Sequence, residues 1–233
     1  MAGRWDTVTV EGDTMRCYVS SPEGAGPFSG VIVAQHAGGV DEFIQTMSDR
    51  IAAAGYVAIA PELYHRDPNP EDNPLVRMGR LRDADIVTDV NAAFEHLKGL
   101  ANVAAERIGI TGFCMGGRVA YLMAGHIPSL RAAVVFYGGN IMVPWGEGPA
   151  PFDGTGHIKC PLLGLFGEED TNPSPADVAK IDAELTRLGK THEFHSYSGA
   201  GHAFMNEARP SYREETAEEA WAKCLGWFEG YLS

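Results

Sequence analysis

From Ile108 to Tyr121 the chain reads Ile-Gly-Ile-Thr-Gly-Phe-Cys-Met-Gly-Gly-Arg-Val-Ala-Tyr. An apolar strand pattern runs into Gly112, then Cys114, then Gly116, and a helical pattern starts at once. A strand that reverses directly into a helix crowds the positions two before and two after its apex, so glycine is expected at both. The apex side chain then projects above the sheet, close to the first N–H groups of the helix. Those groups lack intrahelical partners and carry partial positive charge, which favours a thiolate. The pattern demands a strand–turn–helix unit, and therefore a sheet with helices packed on it. A buried structural cysteine at a tight turn would leave the same local trace. Whether Cys114 is a nucleophile therefore depends on what the other segments supply.

Short apolar runs recur along the chain at Val31–Ala34, Tyr56–Ala60, Ala132–Tyr137 and Leu162–Phe166, with a last strand at Glu193–Tyr197. Continuous runs of this length suit strands buried on both faces of a parallel sheet. Between them, Phe43, Ile44, Met47, Ile51 and Ala54 fall at helical spacing, as do Ile86, Val90, Ala93, Phe94 and Leu97. Further helices are expected from the elbow to about Ala124, from Pro175 to about Leu188 with Gly189 as the stop, and from about Ser211 to Tyr231. Trp5–Val10 and Met15–Ser20 read as an opening hairpin around the turn Glu11–Thr14. Strand–helix alternation implies right-handed crossovers, hence an α/β fold with a mostly parallel central sheet and helices on both faces. No repeat or linker divides the chain, so residues 1–233 are expected to form one domain. Pro61–Pro74 and Gly138–Gly156 read as loops, and a loop as long as the second is more often functional than idle.

Acidic residues outnumber basic ones by 31 to 18, for a net charge of −13. No basic stripe is present, which argues against a nucleic-acid partner. Anions are repelled at long range, so an anionic substrate would need local arginines. The four cysteines form no C-x-x-C pair, which points to a reducing compartment. Neither a signal-type apolar segment nor an 18-residue apolar run occurs, so a soluble, cytoplasmic protein without a membrane partner is expected, by default a monomer.

In a parallel sheet the loops leaving the carboxyl ends of the strands converge on one edge, where ligands bind. Gln35–Gly39, Cys114, Asp170 and His202 all fall there. Nucleophile, acid, then histidine is the chain order of hydrolases with a nucleophile elbow. Of the eight histidines, His202 alone sits in a Gly-rich turn after the last strand. It is the candidate base that takes the Cys114 proton and returns it to the leaving group. Asp170 is the candidate acid that orients His202. Glu168 and Glu169 are its rivals, and the Thr-Asn-Pro turn that follows favours Asp170. The backbone N–H groups of Met115 and Ala37 are the candidate oxyanion hole, with Gly38 and Gly39 allowing close approach. His36–Gly39 resembles the HGGG loop of some esterases.

A thiol of pKa about 8.5 is only a few per cent thiolate at pH 7. A helix N-terminus contributes about 0.3–1 kcal/mol, so an ion pair with His202 has to supply most of the activation. Thiolate is a better leaving group than alkoxide, which suits esters with good leaving groups, such as enol esters and thioesters, and leaves unactivated amides the poorest fit. His192-Glu193-Phe194-His195 lies in a strand pattern and lacks the spacing of a zinc-binding helix. No metal and no cofactor are expected.

With these residues placed, the chain resembles the dienelactone hydrolase (carboxymethylenebutenolidase) family of the α/β-hydrolase fold. The resemblance spans nearly the whole chain and is carried by Val31–Gln35, Gly55-Tyr56, Ala60–Tyr64, Gly112–Gly117, Phe136–Gly138, Gly167–Asp170 and Ala200–Phe204. It implies opening of an unsaturated lactone through an acyl-cysteine, with a substrate site lined by His36, Arg77, Arg80, Tyr137 and Phe204. Two departures stand out. Family members that open dienelactone carry a glutamate where this chain has His36, and an arginine shortly after the catalytic histidine, where this chain reads Ala203-Phe204-Met205-Asn206. Arg77, Arg80 and Arg82 lie near the position of a second carboxylate-binding arginine. The expectation is an esterase or lactonase for small activated substrates. The alternatives are a thioesterase or a non-catalytic binding module on the same fold.

Overall fold

The computed structural model describes residues 3–233. It opens with strands β1 (Arg4–Val10) and β2 (Asp13–Ser20), paired antiparallel. Then follow β3 (Phe28–Ala34), α1 (Glu42–Ala53), β4 (Val57–Pro61), α2 (Pro74–Met78), α3 (Asp83–Gly99), β5 (Val103–Phe113), α4 (Met115–His126) and β6 (Ala132–Phe136). After a 3₁₀ turn at Pro151–His157 come β7 (Leu162–Gly167), α5 (Pro175–Arg187), β8 (His192–Tyr197) and α6 (Glu214–Leu232). The strands form one sheet in the order β1-β2-β4-β3-β5-β6-β7-β8. β2 meets β4 antiparallel, and every pairing from β4 to β8 is parallel.

Alternation along the central strands divides the core into two layers. On β3, Ile32 and Ala34 pack with residues of α3 and α4, while Val31 and Val33 pack with residues of α1 and α6. All four are fully buried, and burying one Val or Ile side chain contributes about 1.5–3 kcal/mol. Helix starts follow local chemistry. The Asp41 carboxylate accepts from Ile44 N–H at the head of α1, and Ser174 and Asp177 form a reciprocal capping box at the head of α5.

Several boundaries differ from the sequence expectation. β5 starts at Val103 rather than Ile108, because Val103 and Ala104 are buried and only Ala105, Glu106 and Arg107 interrupt the buried run. α2 lies at the end of the expected Pro61–Pro74 loop, where Asn73 caps it and Pro74 opens it. The Gly138–Gly156 loop runs into the 3₁₀ turn, and α6 begins at Glu214 rather than Ser211.

Candidate active site

β5 runs straight into α4, and Cys114 at the junction takes φ 57° and ψ −117°. This is a backbone region that costs a non-glycine residue about 1–3 kcal/mol. The two flanking glycines make the reversal possible. A Cβ on Gly112 would lie 2.1 Å from the Gly116 carbonyl oxygen, and one on Gly116 would lie 2.1 Å from the Ala34 carbonyl oxygen. The Cys114 N–H donates to Phe136 O at 3.1 Å, which ties the apex to β6.

His202 lies in the loop after β8, with Nδ1 at 2.8 Å from Asp170 Oδ2. Its ring engages the Cys114 thiol on the other side. Asp170, after β7, is buried, whereas Glu168 and Glu169 are exposed. The second Asp170 oxygen accepts the Asn172 N–H at 2.9 Å. Burial opposes charge on His202, but bonds to Asp170 and Cys114 raise its pKa to about 10. Burial would also raise the Cys114 pKa. The bond and charge of His202 and the N–H groups of Met115 and Ala37 outweigh it and hold the thiol below its ordinary value. Both candidate oxyanion donors therefore favour charge on the sulfur. Cys17 and Cys160, buried without such partners, are pushed up to about 12, and Cys224 is raised as well.

The Gln35–Gly39 loop is fixed by four contacts. Gln35 Oε1 accepts Leu63 N–H at 3.0 Å, and Gly39 N–H donates to His36 O at 3.0 Å. Tyr64 Oη donates to Ala37 O at 2.9 Å and lies 3.6 Å from Met115 Sδ. His36 Nε2 bonds Asp41 Oδ2 at 2.7 Å, so the residue at the family's glutamate position is engaged by the cap of α1.

The structure treats the other expected site residues differently. Arg77 bonds Asp67 at 2.8 Å and stacks 4.3 Å above the Tyr64 ring. Arg80 forks onto Asp67 and also reaches Asp72 at 2.7 Å. Tyr137 and Phe204, expected to line the substrate site, are 1% and 0% exposed and offer a substrate almost no surface. Tyr137 instead backs the His202 ring edge-on at 5.2 Å between centroids, and Phe204 backs Tyr137 at 5.0 Å. The resemblance locates both after their strands but carries no information on which way their rings turn. Among the remaining histidines, His65, His96, His192 and His195 are bonded to Asp89, Asp6, Asp182 and Glu193, away from this cluster.

Sequence reasoning passed over Tyr64, Arg118 and the asparagines 140 and 172. The fully buried Arg118 forks onto Asp83 at 2.5 and 3.0 Å, donates to the carbonyls of Asn140 and Val143, and stacks 4.0 Å from the Trp145 ring. It thereby clamps the long loop after β6 onto the nucleophile helix. An arginine beside a Gly-Gly pair was the one available signal.

Residues 15–232 match the model of the Dienelactone hydrolase family. This chain belongs to the dienelactone hydrolase family. A protein of Methylorubrum extorquens that carries a provisional carboxymethylenebutenolidase name is 34% identical over 96% of this chain and 79% of its own length. A Synechocystis protein with the same provisional name is 37% identical over 92% of this chain and 91% of its own. A Klebsiella pneumoniae crystal structure, provisionally titled dienelactone hydrolase, superposes with a TM-score of 0.89 at 34% identity, covering 99% of each chain. Membership of the dienelactone hydrolase family makes the protein a hydrolase of the α/β-hydrolase fold. Among the described residues, no helix is long and apolar enough to cross a membrane.

Proposed function

We propose that the chain hydrolyses small activated esters or lactones through an acyl intermediate on Cys114. The observation that carries this reading is the His202 ring, held by Asp170 on one nitrogen and engaged with the Cys114 sulfur on the other side. The Cys114 thiolate attacks the carbonyl carbon, and the carbonyl π electrons move to oxygen. The N–H groups of Met115 and Ala37 receive that oxyanion. Collapse of the tetrahedral intermediate expels the alcohol or enol oxygen, which takes the His202 proton. His202 then removes a proton from water, hydroxide attacks the thioester, and the released thiolate restores the ion pair.

The charge around the site favours a neutral substrate. Asp67 and Asp72 already neutralise Arg77 and Arg80. Asn206, in place of an arginine, turns its Oδ1 to the Ala208 N–H at 3.0 Å. The relatives named carboxymethylenebutenolidase support the ester class, and the departures support a neutral ester or lactone within it.

The test is hydrolysis of p-nitrophenyl acetate by wild type and by Cys114→Ala, with an anionic lactone run in parallel. Cys114→Ala is expected to lose at least about 10³-fold in turnover, as removal of a triad nucleophile does. The neutral ester is expected to have the higher kcat/KM. Full activity in the alanine variant would overturn the mechanism, and preference for the anionic lactone would overturn the substrate class.

A further inference from the structure

The two oxyanion donors of the proposed reaction come from different parts of the chain, Ala37 after β3 and Met115 at the start of α4. One hydroxyl touches both residues. Tyr64 Oη donates to Ala37 O at 2.9 Å and lies 3.6 Å from Met115 Sδ. The side chain is 4% exposed, so water does not compete for the bond. A Cβ on Gly39, the last residue of the same loop, would meet the ring at 3.7 Å. Next to Tyr64, Leu63 N–H bonds the fully buried Gln35 side chain at 3.0 Å. The segment after β4 is thus keyed into the oxyanion loop at both of that loop's ends. On the outer face of the ring, Arg77 stacks at 4.3 Å and is itself held by Asp67.

We propose that Tyr64 is the positioning residue of the oxyanion hole, bridging Ala37 and Met115, and that Arg77 serves as its outer support rather than as a substrate ligand. A hole of two backbone N–H groups works only if both converge on one point before charge develops, since donors that must reorganise lose most of their benefit. Loops are the mobile part of an α/β fold, and Ala37 sits in one. Fixing the Ala37 carbonyl fixes the orientation of that residue, and the thioether contact sets its distance from α4. The ring hydroxyl stays protonated, because burial and the neighbouring negative groups Cys114 and Asp67 raise its pKa against the lowering effect of Arg77. It remains a donor throughout the reaction.

The proposal rests on the acyl-cysteine reading, and its test separates the two. Tyr64→Phe removes one oxygen atom and leaves the buried ring. Its kcat for p-nitrophenyl acetate is expected to fall about 10–100-fold with KM within about threefold, a loss confined to the transition state. Affinity for a methyl trifluoromethyl ketone, which adds the cysteine sulfur to give a tetrahedral oxyanion, should weaken by the same factor. The pH midpoint of iodoacetamide alkylation at Cys114 should stay within about half a unit of wild type, because His202, the largest influence lowering it, is untouched and the N–H groups act more weakly. Arg77→Ala should lower kcat in the same direction and by less. A Tyr64→Phe kcat within twofold of wild type, or unchanged ketone affinity, would overturn the positioning role while leaving the cysteine mechanism standing. A rise in KM alone for Arg77→Ala would overturn the assignment of Arg77. A Cys114→Ala enzyme that keeps its activity would instead remove the reading beneath both.

Discussion

The two arms that flank Cys114 are held in opposite ways. The oxyanion arm, from Gln35 to Gly39, takes one bond from the exposed Asp41 carboxylate at His36, but Gln35 at its head and the donor residue Ala37 are fastened by uncharged bonds that involve the buried side chains of Gln35 and Tyr64. The acid–base arm is held by charge and by the surface. Asp170 and His202 form a charge-assisted pair. The loop carrying Asp170 is tied to the loop after β6 by the exposed Asn172, whose amide accepts Asn140 N–H at 2.9 Å and donates to Asn140 Oδ1 at 3.1 Å. Bonds to water reproduce an exposed amide contact at little loss, whereas a buried one has no substitute. The difference fits what the proposed reaction asks of each arm. Backbone donors must not move when charge appears, so they are set in a dry interior. In that reaction the imidazole takes a proton from water and so must reach solvent, and His202 is half-exposed.

The comparison breaks hardest at His202. His202→Ala is expected to lower kcat by at least about 10³-fold and to separate the two influences on the thiol. In wild type the Cys114 pKa lies below the ordinary value, because His202 and the two N–H groups outweigh burial, so alkylation is expected to set in at lower pH than for a free thiol. Without the imidazolium, burial opposes the charge and only the Met115 and Ala37 N–H groups favour it. The alkylation midpoint should move to higher pH, by about one unit or more. An unmoved midpoint would mean that the oxyanion arm alone activates the sulfur.

Arg118 joins the nucleophile helix to the loop that meets the acid–base arm. Arg118→Met would leave the Asp83 carboxylate without its ion-pair partner and free the Asn140 and Val143 carbonyls. The expected loss is about 3–5 kcal/mol of stability, read by urea unfolding. A loss below about 1 kcal/mol would show that the clamp is dispensable. Asn172→Ala is the mildest change. Water replaces the exposed amide, so kcat should fall less than about tenfold, a smaller loss than for Tyr64→Phe. A larger loss would reverse the ranking of the two arms.

The legibility of the site follows the same division. Cys114, Asp170 and His202 could be proposed from the sequence because few residue types suit such chemistry and each follows a separate strand, and the structure brings them into one cluster. The fold was readable for a related reason: parallel strands buried on both faces leave uninterrupted runs such as Val31–Ala34. Tyr64 was not readable. Its role depends on where β4 delivers it relative to a loop more than 20 residues earlier, and nothing local distinguishes it from a core tyrosine. Arg77 shows the converse. An arginine at a plausible position suggested a substrate grip, but its charge is committed to Asp67, ten residues before it. The same blindness to orientation applied to Tyr137 and Phe204, whose rings turn into the interior behind His202.

The distribution of the four thiols bears on how the protein would meet an oxidant. Cys17, Cys160 and Cys224 are walled into the core and kept protonated, and Cys114 alone is partly open with a lowered pKa. A peroxide would therefore find one reactive sulfur and convert it to a sulfenic acid. Enzymes that survive this step use a neighbouring thiol to close a disulfide, and the other three cysteines offer no ionised sulfur for that purpose. Recovery would rest on a small thiol diffusing in from solution.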